Sequence, residues 1–230
     1  MWQPLDFKID DNYKFINEKL LFKICSDILY YFIAAPIIFV ISKLILGLKI
    51  EGRENINDFE GPAISVSNHV HMIDCAMIGL AMFPNRIFYT ASDASFKMPV
   101  IKYIVKLLNG LPISDDISSK RKLVKVIDEL LRDGEIVHFY PEASLWPYYN
   151  KIRRFKNGAF EMSVKNNVPI IPMVYTYREV TGLRKLIKRK PFITLKILEP
   201  IYPDDELPRK ERIEDLKFRV HEKMSGYLKD

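Results

Sequence analysis

The chain has 230 residues, 48% of them hydrophobic and 28% charged, a balance that excludes a disordered polymer and suffices for one domain with a substantial core. Its 35 basic and 29 acidic residues leave a net charge of +6. This mild, scattered excess suits an anionic membrane surface or a phosphorylated ligand, and without a basic stripe no nucleic-acid partner is expected. Two cysteines, Cys25 and Cys75, give no disulfide framework and favour a reducing cytosol.

Residues 1–19 are polar and mixed, without the basic n-region or cleavage site of a signal peptide. Residues 20–47 are the most apolar part of the chain, interrupted by Lys23, Asp27 and Lys43. The uncharged run from Ile28 to Ser42 is shorter than the ~20 residues of a spanning helix. Pro36 in its middle should kink a helix. Three forms fit: a kinked hairpin set into one leaflet, a buried core helix, or a true span with snorkelling lysines. The hairpin is favoured, with Tyr30, Tyr31 and Phe32 at the lipid–water interface. Residues 1–47 are thus expected to be a membrane-associating helical segment and residues 48–230 one α/β domain.

From residue 48 strands and helices alternate. Residues 49–52 and 63–66 read as strands and 73–82 as a helix. Residues 86–90 form a strand, and 100–108 a helix following Pro99. Residues 111–113 are a short strand. Ser118 or Ser119 should cap an amphipathic helix running to Arg132, which Gly134 stops. Residues 135–140 read as a strand, 155–166 as a helix, 168–175 and 192–198 as strands, and 210–228 as a closing helix. This alternation predicts a single α/β domain with a mostly parallel mixed sheet flanked by helices, preceded by the apolar helical segment.

Two strand ends carry the candidate chemistry. The first strand-to-helix junction reads Ser67-Asn68-His69-Val70-His71-Met72-Ile73-Asp74. Asp74 can hold one ring nitrogen of His69 and leave the other to take a proton, which is a base and its orienter without a nucleophile. A substrate hydroxyl can supply the nucleophile. His71 is expected to be a loop or capping residue. The second junction, Tyr140-Pro141-Glu142-Ala143-Ser144, should bring Glu142 and Ser144 to the same crevice, because ligands collect at the carboxyl ends of strands. Arg153, Arg154 and Lys156 then lead into a helix start, a pattern that suits an anion. A metal hydrolase needs more histidines than this: His138 falls in a core strand and His221 in a surface helix.

With these blocks in order, the sequence resembles the glycerolipid acyltransferases of the lysophosphatidic acid acyltransferase type. Asn68-His69 through Asp74 matches an N-H-x-x-x-x-D block, and Tyr140–Leu145 partly matches a P-E-G-T-R block. Phe155–Ala159 matches F-K-x-G-A, and Val168–Pro172 matches V-P-I-x-P. The resemblance covers roughly residues 48–200. It implies His69 and Asp74 as catalytic residues, with Asn68, Glu142, Ser144, Arg154 and Lys156 contacting substrate. Backbone donors near the helix start would stabilise the oxyanion. No metal and no cofactor are implied; acyl-CoA or acyl carrier protein is the co-substrate, and membrane lipids and the thioester donor are the partners. The expected place is the cytoplasmic face of a membrane.

Two departures bear on the acceptor. The family's G-x-x-x-V-x-R arginine falls about where Asp115 stands, and Ala143-Ser144-Leu145 replaces Gly-Thr-Arg. Both arginines are thought to grip the acceptor phosphate, so a shifted acceptor is expected unless Arg153, Arg154 and Lys156 replace them. The rival expectation is a non-catalytic lipid-binding protein on the same fold.

Overall fold

A computed structural model describes residues 9, 13–17, 19–98, 101–182, 185 and 190–228. Seven strands form one sheet in the order β1-β7-β6-β2-β5-β3-β4. They are β1 (Lys49–Glu51), β2 (Ala63–Ser67), β3 (Phe88–Ser92), β4 (Gly110–Ile113), β5 (Ile136–Phe139), β6 (Ile170–Arg178) and β7 (Phe192–Ile197). Only β6 and β7 pair antiparallel; the other pairs are parallel. The mostly parallel mixed sheet read from the sequence is therefore the observed one. β2 lies between β5 and β6, and all five of its residues are buried.

Alternate residues of β2 feed two cores, as strand geometry requires. Ile64 and Val66 join the core under α6 (Ile117–Arg132), α7 (Gly158–Asn166) and α8 (Arg209–Gly226). Ala63 joins the core under α3 (Asp74–Met82), together with Met77, Ile78, Tyr175 and Leu195.

The apolar segment departs from the favoured hairpin. It is one helix, Leu20–Leu46, built from α1 (Leu20–Ile28), a π turn (Leu29–Ala34), α2 (Ala35–Ile41) and a second π turn (Ser42–Leu46). Pro36 occupies the first turn of α2, just past the π turn. There the ladder is already changing register, so its missing N–H does not break the helix. The helix has 27 residues, or about 40 Å of rise, and is long and apolar enough to cross a membrane. Only 17% of its apolar window is buried, which excludes a core helix. Leu20, Leu21, Phe32 and Leu44 are among its widely exposed side chains, so most of its apolar surface is left uncovered by the domain. The domain side is held by Tyr30, whose hydroxyl donates to the Gly79 carbonyl at 3.2 Å, and by Ser26, which donates to Leu107 O at 2.6 Å.

Several boundaries move for local reasons. Asp116, rather than Ser118 or Ser119, caps α6: its carboxylate accepts the Ser119 N–H at 2.8 Å and the Ser118 hydroxyl at 2.5 Å. Those bonds lower its pKa to about 2. α7 starts at Gly158 instead of residue 155, because Phe155 is buried in the core and the Lys156 N–H donates to Pro141 O at 2.9 Å. β3 and β6 run to Ser92 and Arg178, beyond their expected ends, and α4 (Asp93–Phe96) was not expected. α5 (Ile101–Leu107) fits the expected helix, whose start at Pro99 and Val100 lies outside the described residues. Cys25 and Cys75 are free thiols.

His138 is the polar centre of the core beneath the sheet end. It is fully buried, and its ring nitrogens lie 2.9 Å from Ser65 Oγ and 3.3 Å from Ser67 Oγ. One nitrogen donates and the other accepts, so the neutral ring ties β5 to β2. Burial, reinforced by nearby His69, lowers its pKa from 6.5 to about 3.

Three variants test this account. Gly52 has φ +78°, and a Cβ there would collide with the Ile197 carbonyl oxygen, so Gly52→Ala should cost about 2 kcal/mol or more in denaturant unfolding. Ala143 has φ +59° without being glycine; Ala143→Gly should gain up to about 1 kcal/mol. For His138, the native pKa lies below the unfolded one, so the unfolded chain takes up a proton first as pH falls. The stability from its neutral burial is present above pH 6.5 and is lost progressively toward about 3. The unfolding midpoint gap between wild type and His138→Gln should therefore narrow between pH 7 and pH 4.

Candidate active site

β2 and β5 are adjacent and parallel, so their carboxyl ends present two loops side by side. The first loop, residues 68–73, ends in the first turn of α3, where Asp74 sits fully buried. Asp74 Oδ2 accepts three bonds: from His69 Nδ1 at 2.8 Å, from the Val70 N–H at 2.7 Å and from the His71 N–H at 2.9 Å. A carboxylate at a helix start is favoured by the helix dipole, and the two amides curl the loop back over it. His69 keeps 24% of its side chain exposed, against 0% for Asp74. With Nδ1 donating to the carboxylate, Nε2 is the ring's acceptor and belongs to the exposed half of the pair.

The amides of Val70 and His71 point at Asp74, because the buried carboxylate needs them more than the crevice does. His71 caps the turn as expected, its Nδ1 accepting the Ile73 N–H at 3.4 Å.

Asn68, expected to touch substrate, is fully buried and does a strand's work instead. Its side chain accepts the Tyr175 N–H at 2.9 Å and donates to Tyr175 O at 3.3 Å. It thus extends the β2–β6 ladder one step past the Ser67–Met173 pair. Tyr175 grips the loop from the other side too, its hydroxyl donating to Asp74 O at 3.0 Å.

The second loop follows β5. Glu142 is 7% exposed and lies beside His69, whose N–H points at Oε2 from 3.5 Å. Arg153 claims the same carboxylate with its N–H at 2.9 Å, Nε at 3.2 Å and Nη2 at 3.0 Å. Its guanidinium also donates to Ser144 O and stacks 4.7 Å from the centre of the Trp146 ring. The loops are stitched together by the Trp146 N–H to His69 O at 2.9 Å and the Tyr148 N–H to Val70 O at 3.1 Å. So the structure brings Glu142 to the His69–Asp74 pair. Ser144 enters only through its backbone, with an exposed side chain. Arg154 and Lys156 are exposed, and the charge of Arg154 is felt by Glu214 on α8. Asp115 lies exposed past β4, with Lys120 at 3.7 Å.

Sequence reasoning passed over Tyr140. Its ring lies flat on the His69 imidazole, with centroids 4.1 Å apart and planes 23° from parallel. The available signal was its place directly before Pro141-Glu142. Met72 and Trp146 expose apolar surface from the two loops. Two hollows lie elsewhere: one of about 650 Å³ by Asp27, Arg86 and Glu135 at the opposite end of the sheet, and one of about 370 Å³ by Lys43, Arg178 and Phe192. Among the described residues no cluster of three His, Cys, Asp or Glu side chains is arranged to hold a metal.

Comparison with known proteins places this geometry in a family. The model of the Acyltransferase family matches residues 47–176, more than half of the chain. A chloroplastic 1-acyl-sn-glycerol-3-phosphate acyltransferase from Arabidopsis thaliana is 28% identical over 127 residues, covering 55% of this chain and 35% of its own length. The 1-acyl-sn-glycerol-3-phosphate acyltransferase of Saccharomyces cerevisiae is 26% identical over 208 residues, covering 86% of this chain and 66% of its own. The chain thus spans about a third of the plant relative and two thirds of the yeast one. The crystal structure of the 1-acyl-sn-glycerophosphate acyltransferase PlsC from Thermotoga maritima superposes with a TM-score of 0.51 at 22% identity, over 88% of this chain and 95% of that one. At that identity the likeness concerns the fold. The family match takes in both junctions, and with it the paired His69 and Asp74: the chain belongs to the acyltransferase family.

Proposed function

We propose that the chain is an O-acyltransferase of phospholipid synthesis, moving a fatty acyl group from a thioester to a hydroxyl of a lysophosphatidic acid-like glycerolipid. The thioester is carried by coenzyme A or by acyl carrier protein. The reading rests on one observation above the others: a partly exposed imidazole whose Nδ1 is bonded at 2.8 Å to a buried carboxylate. Residues bearing a nucleophile of their own are not needed, because the acceptor hydroxyl plays that part.

In this mechanism His69 Nε2 takes the hydroxyl proton as the alcohol oxygen attacks the thioester carbonyl. Asp74 stabilises the imidazolium that forms. The tetrahedral intermediate collapses with cleavage of the C–S bond, and the imidazolium returns its proton to the leaving thiolate. The products are an oxygen ester and a free thiol, and the enzyme is unchanged. The apolar helix brings the domain to the bilayer at its cytoplasmic face, where both the lipid acceptor and the thioester donor are found.

The acceptor phosphate is held differently from the family pattern. Arg153 is the cation beside His69, and its tie to Glu142 fixes it as a pre-aimed donor. Arg154 and Lys156 point into solvent and contribute less. With the two usual arginines absent, a phosphate-bearing acceptor loses charge-assisted bonds worth roughly 1.5–3 kcal/mol each, so a related lipid or glycolipid hydroxyl competes with lysophosphatidic acid.

Transfer from labelled acyl-CoA and acyl carrier protein to a panel of lysolipids, glycolipids and plain alcohols tests the reading. Wild type should acylate at least one lipid acceptor, and His69→Ala should lose at least ~100-fold. Wild type that turns over no thioester with any acceptor would leave the lipid-binding alternative. Arg153→Ala should weaken transfer to lysophosphatidic acid about tenfold or more, with Arg154→Ala and Lys156→Ala changing little. Transfer to lysophosphatidic acid at ordinary family rates, unchanged in an Arg153/Arg154/Lys156 triple alanine variant, would defeat the shifted acceptor.

A further inference from the structure

Two polar atoms beside the catalytic pair have no partner. Asp74 Oδ1 and the Tyr140 hydroxyl are both buried, and neither makes a hydrogen bond. Each is costly alone, since a buried polar group without a partner forfeits its hydration. Asp74 cannot turn to relieve this, because Oδ2 is held by three donors. The Tyr140 phenol is close enough to feel the charge of Asp74, and its ring is fixed by stacking on His69 at 4.1 Å and by edge contact with His138 at 4.7 Å.

We propose that Tyr140 is a positioning residue that holds the His69–Asp74 pair from two sides. Its ring face carries the imidazole, and its hydroxyl supplies the donor that Asp74 Oδ1 lacks through one ordered water. This rests on His69 acting as the base, as read above.

The chemistry of the two atoms is complementary. Burial first, and the charges of Cys75 and Asp74 next, raise the Tyr140 pKa well above 10. The phenol therefore keeps its proton and is a donor throughout the working range. A carboxylate oxygen is an acceptor only. A water between them has a donor on one side and an acceptor on the other. A phenylalanine would stack equally well, so the hydroxyl is what tyrosine adds here.

The bond also tunes the base. A donor on Oδ1 spreads the carboxylate charge and so weakens its pull on the imidazolium. The other titratable groups around the pair are neutral His138 from β5 and the Glu142–Arg153 pair beside His69, and Cys75, Tyr148, Tyr175 and Tyr177, which feel the charge of Asp74. None of these changes when the Tyr140 hydroxyl alone is removed.

The test uses the full chain in detergent, as wild type, Tyr140→Phe, Tyr140→Leu and His69→Ala. Two readouts are taken: kcat and KM for acyl transfer, and an NMR titration of the His69 imidazole, which needs no substrate. Tyr140→Phe should lower kcat about tenfold at nearly constant KM and raise the His69 midpoint by about half a unit, with an unchanged thermal midpoint. Tyr140→Leu, which also removes the platform, should lose about 100-fold in kcat. An unmoved His69 midpoint in Tyr140→Phe overturns the proposal. So does a fall in kcat that only follows a lower thermal midpoint, since that is packing. If His69→Ala is as active as wild type, the reading of His69 as the base fails instead, and the titration still decides whether Tyr140 tunes the pair.

Discussion

Everything at the site hangs on one carboxylate oxygen. Asp74 Oδ2 gathers an imidazole and two backbone amides while the residue is wholly buried. An ionised carboxylate in that setting is tolerable only when its donors are in place. The loop from Asn68 to Ile73 therefore has little freedom: relaxing either amide or the ring would strand a buried charge. The same constraint fixes the His69 rotamer and tautomer and leaves Nε2 as its only acceptor. A ring so held has little rotamer freedom left to lose when a ligand arrives.

The scaffold around that oxygen is rigid because it is made of strand ends. β2 is buried between β5 and β6, and Asn68 carries the β6 pairing one residue beyond the strand. The second loop is bonded to the first at His69 and Val70. Ala143 and Tyr148 stand in left-handed conformations in that loop, with φ of +59° and +57°. Such strain persists only where neighbouring bonds over-determine the backbone, and here the loop-to-loop bonds and the Glu142–Arg153 pair do so.

The apolar helix and the site share an element. Tyr30 reaches from the apolar helix to the Gly79 carbonyl of α3, and Asp74 opens that same helix. Gly79 is small for a reason: a Cβ there would press on the Tyr89 and Tyr30 hydroxyls. The apolar helix is thus seated directly on the helix whose first turn carries Asp74.

Sequence alone determined the elements and the pair. Period-two apolar runs and helical spacing gave the seven strands and the main helices, because both patterns are local. The five-residue separation of His69 and Asp74 spans a single strand–helix junction, so it too could be read locally. What needed the tertiary structure were choices made by distant partners. Asn68 is spent on Tyr175, 107 positions away, and Glu142 singles out Arg153 over its identical neighbour Arg154. Tyr140 meets His69 only because β2 and β5 lie side by side, and Pro36 is absorbed by a π turn that leaves no mark in composition. Side-chain alternation and helix periodicity are carried by neighbours in the chain, whereas the spending of each polar group depends on which strand the sheet sets beside it.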